Sequence, residues 1–163
     1  MNINMKQVIG FNKPTEPNGY LSNWYAAPFT VDGKQFTNVE QYMLYLKAVM
    51  FGAEDTAAQI LRTADQTMLK QLGRLIWNAN NTVWNGLRQI ALCKALREKF
   101  GQNDNLRAQL LSTGDAILAN CAGKENVFGT GLDLNADFAN LHNWNGQNLL
   151  GFTLMYVRDQ LKG

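Results

Sequence analysis

Asn38-Val-Glu-Gln-Tyr-Met-Leu-Tyr-Leu-Lys-Ala-Val-Met-Phe51 is the stretch that decides the class of this fold. Its apolar residues fall on nearly every turn of a 3.6-residue period, which predicts a helix over 39–51. Asn38 is a capping residue, and Gln41 stands three positions on, as in a capping box. A helix that is apolar on most sides is normally buried, so this one is expected to be central. Glu40 and Lys47 interrupt the pattern. Seven steps of about 100° bring them back to nearly the same face, roughly 10 Å apart along the axis. Met43 and Leu44 lie between them on that face. Burying a carboxylate and an amine beside apolar side chains is costly unless they open on a cleft or find partners. Two readings stay open. Either both sit at a solvent edge, with Glu40 favouring the helix N-terminus, or they line a pocket where a desolvated acid or amine does proton-transfer or nucleophilic work.

Towards the N-terminus the pattern shortens. All three prolines lie within the first 28 residues, and 6–11, 27–31 and 34–36 read as short strands. The last two are joined by Asp32-Gly33, a good hairpin turn. Towards the C-terminus, helical spacing predicts helices over 54–63, 67–72 (stopped by Gly73), 84–100 (ended by Gly101), 105–111 and 148–161. Residues 116–121 form a short apolar piece of strand character, and Phe128-Gly-Thr-Gly131 must be a tight loop. The Asn-rich run 78–81 reads as a loop. The class is α+β: a single compact, mostly helical domain with a small β element near the N-terminus. No repeat, linker or low-complexity tract divides it, so one domain over 1–163 is expected.

With 46% hydrophobic residues the chain can bury a sizeable core. A net charge of +2 gives no electrostatic reason to expect duplex nucleic acid or an anionic membrane as partner. No stretch approaches 18 consecutive apolar residues, and the start lacks a signal-peptide run, so a cytoplasmic protein is expected. Cys93 and Cys121 fit no metal spacing and read as two buried thiols. His142, the single histidine, rules out a site needing two and reads as a surface or capping residue. Trp77 and Trp84, with Met68, Leu72 and Leu75, read as core.

Several short motifs then occur in order: Gly19-Tyr-Leu-Ser-Asn-Trp24, Ala27-Pro-Phe29, Val31-Asp-Gly33, Val39-Glu-Gln-Tyr42 and Lys47-Ala48. They continue through Gly73-Arg74, Trp84, Lys99-Phe100, Leu110-Leu-Ser-Thr-Gly-Asp115, Gly129-Thr-Gly131 and Trp144-Asn-Gly-Gln-Asn-Leu-Leu-Gly151. This series, over about residues 9 to 161, resembles the NADAR (YbiA-like) family of N-glycosidases. The resemblance implies a helix-dominated α+β fold with no metal and no tightly bound cofactor. It also implies hydrolysis of an N-glycosidic bond at ribose, in a phosphorylated riboflavin-pathway intermediate or in ADP-ribosylated guanine. Carried over by position, it makes Glu40 and Lys47 the catalytic pair. Asn23, Trp24, Arg74, Asn120, Glu125, Phe128, Gly129 and Asn148 become substrate-binding residues.

A carboxylate can stabilise the positive charge that develops at the anomeric carbon as the bond breaks. A lysine can instead attack that carbon. The guanidinium of Arg74 suits a phosphate, and Trp24 suits either a base to stack on or plain core packing. Four positions depart from the family pattern. Asn120 replaces a usual glutamate and Glu125 an aspartate, while Phe128 replaces a tryptophan and Leu46 a glutamine. They keep a second reading open, a catalytically weak or silent domain that binds a nucleotide or ADP-ribose.

Overall fold

The computed structural model describes residues 4–163. In chain order the elements are β1 (Asn4–Phe11), β2 (Phe29–Val31), β3 (Lys34–Phe36), α1 (Val39–Met50), α2 (Glu54–Ile60), α3 (Gln66–Arg74), α4 (Asn81–Gly101), α5 (Asp104–Ser112), β4 (Ala116–Asn120) and α6 (Leu149–Gln160). Short 3-10 turns occupy Gly19–Leu21 and Leu141–Asn143. Helices dominate and the strands are few and short, so the class is α+β. The chain divides into two units. The first joins the residues up to Tyr25 with Asn103–Gly163, and the second is Ala26–Gln102.

The second unit begins with the expected hairpin. Asp32 and Gly33 take φ of 50° and 77°, the left-handed pair that a tight hairpin turn of this kind requires. Phe29 pairs with Phe36 across the ladder, their rings stacked at 5.9 Å. Tyr42 of α1 meets both edge-on, at 6.3 and 5.2 Å. The outer edge of β2 is closed by a side chain. Gln102, just past α4, accepts from the Thr30 amide and donates to the Thr30 carbonyl.

Helix α1 packs against α2, α3, α4 and β3, which makes it central to its unit. Its last residues, Val49 and Met50, are nevertheless exposed. Asn38 Oδ1 accepts from the Gln41 amide at 2.8 Å, the expected cap. The Gln41 side chain reaches one residue further back than a capping box would, accepting from Thr37 N at 2.7 Å. Its Nε2 donates to the carbonyls of Ile60 and Thr63, both at 2.9 Å. Thus one buried amide ties the start of α1 to the end of α2.

Three expectations for this unit are corrected. Helix α3 runs through Gly73 rather than stopping there, because a bare Cα lets it approach α1 closely. A Cβ on Gly73 would stand 3.0 Å from Cδ2 of Leu44. Helix α4 starts at Asn81, three residues early, because Asn80 Oδ1 accepts from the Thr82 and Val83 amides and caps it. Trp77, Met68 and Leu75 are exposed, not core; Leu69, Leu72 and Ile76 of that stretch turn inward. Lys99, by contrast, is fully buried, with Nζ 4.9 Å from the Phe100 ring centroid. Cys93 is half-buried, whereas Cys121 is buried as expected.

In the first unit β1 and β4 run parallel, with Val8 opposite Ile117 and Phe11 opposite Asn120. All five residues of β4 are buried. Two paired strands alone are marginal, and α6 supplies the cover. Its cap, Asn148, has no solvent exposure and a left-handed φ of 51°. Asn148 Oδ1 accepts from the Asn120 amide at 2.9 Å, and Nδ2 donates to the Leu118 carbonyl at 2.8 Å. A carboxamide offers a donor and an acceptor at peptide spacing, so this side chain occupies the edge of β4 as a third strand would. Gly151 completes the fit, since a Cβ there would collide with the Leu118 carbonyl. Further along α6, buried Arg158 donates to Thr113 Oγ1 and to the Ala116 carbonyl.

Candidate active site

Glu40, Leu44, Lys47 and Phe51 recur at helical spacing and form one stripe along α1 and its C-terminal cap. Glu40, in the first turn, and Lys47, two turns on, are both half-buried. The Lys47 ammonium lies over the ring of Trp84, 5.7 Å from its centroid. That distance is within cation–π range, and Trp84 is itself half-buried at the start of α4. The indole therefore holds the lysine head over an apolar surface instead of leaving it to sweep through water. Between the two polar residues Leu44 meets α3 at Gly73. Arg74, the next residue, is exposed in the last turn of α3. Lys47 and Arg74 thus occupy neighbouring elements of the second unit, with Glu40 on the stripe of Lys47.

Other expected site residues gather in the first unit. Asn120, at the end of β4, donates from Nδ2 to the Phe128 carbonyl at 3.1 Å. Its carbonyl accepts from the Thr130 amide. Glu125 Oε1 accepts from the amides of Val127 and Phe128, at 2.9 and 2.8 Å. The carbonyls of Val127, Phe128 and Gly129 accept in turn from the amides of Leu149, Leu150 and Asn148. Gly129 is enclosed: a Cβ would stand 2.8 Å from the Glu125 carbonyl and 2.9 Å from that of Asn120. The structure thus brings Asn120, Glu125, Phe128, Gly129 and Asn148 together as one braced loop at the start of α6. Nδ2 of Asn120, both side-chain polar atoms of Asn148 and one oxygen of Glu125 are engaged with backbone there. Asn23 is buried and Trp24 half-buried, on the segment following the Gly19–Leu21 turn.

Sequence reasoning missed two features here. Trp84 was expected in the core, and no periodicity separates a core indole from one lying under an ammonium. Lys99 appeared as one more residue along α4, and its complete burial left no trace in the pattern. Burial lowers its pKa to about 7. His142 is exposed, in the Leu141–Asn143 turn, as expected. Among the described residues no group of three or more His, Cys, Asp or Glu stands close enough to hold a metal ion. No helix among the described residues is long and apolar enough to cross a membrane.

The family model of the NADAR domain matches residues 10–162, which run through both units. The chain belongs to the NADAR family. Among NADAR relatives, an N-glycosidase of Acanthamoeba polyphaga mimivirus is 31% identical over 93% of this chain and 92% of its own length. The N-glycosidase YbiA of Escherichia coli is 30% identical, over 94% of this chain and 88% of its own. A riboflavin biosynthesis protein of Vibrio vulnificus is 32% identical over 97% of this chain, which spans only 40% of that protein. The solution structure of E. coli YbiA superposes with a TM-score of 0.77 at 28% identity, covering 98% of this chain and 88% of that one. The NADAR chain described here therefore shares the YbiA fold.

Proposed function

We propose that this NADAR protein is an N-glycosidase. Its substrate would be the bond between ribose and a nitrogen heterocycle, in a phosphorylated riboflavin-pathway intermediate or in ADP-ribosylated guanine. The observation that carries the proposal is the Lys47 ammonium set over Trp84 on the helix stripe that also carries Glu40. In its amine form Lys47 attacks the anomeric carbon as the C–N bond breaks. Glu40 takes the proton lost by the lysine nitrogen and returns it to the departing base. The lysine nitrogen then expels the ring oxygen, which takes up the proton that this nitrogen gives up, to leave an imine; water hydrolyses the imine, freeing the ribosyl product and regenerating the amine. The negative charge of Glu40 also favours the cationic character that builds at that carbon. The names of the matched relatives support the reaction class.

Purified protein is incubated with ribosylated riboflavin-pathway intermediates and with ADP-ribosyl-guanosine, and released ribose phosphate or ADP-ribose is quantified. Lys47→Ala and Glu40→Gln are each expected to lower kcat by about 10²–10⁴. Full turnover in both variants would overturn the assignment of roles. No release from any of these substrates would overturn the hydrolase reading for them.

A second reading, binding without cleavage, is favoured by Asn120, whose carboxamide braces the Phe128 carbonyl where the family resemblance implies an acid. Calorimetric binding without product, with turnover gained by Asn120→Glu, would establish it.

A further inference from the structure

The chain from Gly73 near the end of α3 to Trp84 in the first turn of α4 is pinned along the stripe of α1 that carries Lys47. Leu44, Lys47 and Phe51 stand at helical spacing on that stripe, and each is met by a different part of the segment. Gly73 approaches Leu44 through its missing side chain. Asn78 Nδ2 donates to the Phe51 carbonyl at 2.9 Å. Trp84 lies under Lys47. The segment is therefore anchored to that stripe at Leu44, at Phe51 and at the lysine itself. Within it Ile76 turns inward and Asn78 is engaged with Phe51, but Trp77 between them is 85% exposed. Leu75 and Val83 are exposed in the same stretch. Nothing in the packing of this unit requires a tryptophan there. Leaving the largest apolar side chain in water forgoes the burial that would ordinarily favour it.

We propose that Trp77 is the stacking platform for the planar heterocycle of the departing base, and so a specificity-determining residue of the site. This rests on the hydrolase reading above, in which Lys47 marks where the ribosyl C–N bond lies. The base is joined to the anomeric carbon directly, so it must project within a few ångströms of the lysine. An exposed indole on a segment anchored to the Lys47 stripe on either side of it offers that base a π-face, and every nucleobase has one to match. Arg74, three residues earlier and exposed, offers the phosphate a charged fork. Trp77 holds the base and takes no part in proton transfer.

The test measures binding rather than turnover. Affinities for guanosine monophosphate and for ribose 5-phosphate are determined by titration calorimetry on the full chain, its Trp77→Ala variant and its Trp77→Phe variant. The residue is exposed, so both variants are expected to keep the thermal midpoint of the parent. Trp77→Ala should weaken guanosine monophosphate by about tenfold and leave ribose 5-phosphate unchanged. Trp77→Phe should recover most of the loss. Unchanged nucleotide affinity in Trp77→Ala overturns the proposal, as does an equal loss for both ligands. So does self-association that Trp77→Ala abolishes without touching nucleotide binding. A chain that binds the nucleotide through Trp77 yet cleaves nothing loses the hydrolase reading and keeps this one. A working hydrolase whose KM for nucleoside substrates ignores Trp77→Ala loses this one alone.

Discussion

Replacing Asn148 by alanine removes the side chain that closes the free edge of β4. It leaves two buried backbone groups, the Asn120 amide and the Leu118 carbonyl, without their present partners. An unsatisfied buried group costs about 1–3 kcal/mol. Alanine must also hold the left-handed φ of 51° that asparagine tolerates, at about 1–2 kcal/mol. Water entering the gap offsets part of this, so a net loss of about 3 kcal/mol is expected, against a typical total of about 5–15 kcal/mol. For a chain of this size that corresponds to a fall in Tm of about 6–12 °C. Urea unfolding followed by far-ultraviolet circular dichroism reads the first number, and scanning calorimetry the second. Asn148→Gly separates the two causes, because glycine keeps the backbone relaxed and loses only the hydrogen bonds. It should be milder than alanine by about 1 kcal/mol. A loss below about 1 kcal/mol for alanine, or a glycine variant less stable than alanine, would refute the account of Asn148 as a substitute strand.

Lys99 makes stability depend on pH. Its folded-state pKa, about 7, lies below the free value of 10.5, so between those values the unfolded chain binds more protons and stability rises with pH. The rise should reach at most about 1.4 kcal/mol per pH unit. It is best read between pH 7 and 9, since burial raises the Cys121 thiol to about 11 and makes it oppose the trend above its free value of 9.0. Lys99→Met should flatten the slope, and an unchanged slope would exonerate the lysine. Glu125→Ala should cost about 0.5–1.5 kcal/mol, since water can reach the two amides it releases, whereas Glu125→Gln keeps an acceptor and should lie within about 0.5 kcal/mol of the parent. If Glu125→Gln abolishes hydrolysis at unchanged stability, the carboxylate acts on substrate and does more than brace the loop. A thiol reagent should find Cys93 slowly in the folded chain and reach Cys121 only on unfolding; rapid labelling of both would contradict their burial.

The fold was legible where local chemistry dictates it. The Asp32-Gly33 turn, the Asn38 cap and the apolar stripe of α6 each carry their own signal within a few residues. Legibility failed where a distant neighbour decides. Gly73 looks like a stop, but its use is to admit Leu44 from a helix some thirty positions earlier. Trp77 and Trp84 have the same composition and nearly the same context, yet one faces water and the other an ammonium. The loop from Asn120 to Asn148 offers little periodicity at all. Its order comes from side chains bonding backbone, in pairings that are scattered along the sequence. Of the candidate site, helix arithmetic put Glu40 and Lys47 on one face, and the family resemblance marked them as catalytic. The aromatic support under Lys47 comes from Trp84 on a separate helix, which no local pattern signals.

The parallel pairing of β1 with β4 has a consequence for how the chain is made. Ala26–Gln102 is contiguous and leaves the ribosome as an uninterrupted run, so its contacts can form as it emerges. The N-terminal strand has no such luck. Its partner, Ala116–Asn120, is synthesised more than a hundred residues later, and the Asn148 carboxamide that closes the far edge later still. Such high contact order slows folding and lengthens the interval in which a bare strand can pair with the wrong chain. Residues translated late thus end the vulnerability created by a strand translated early.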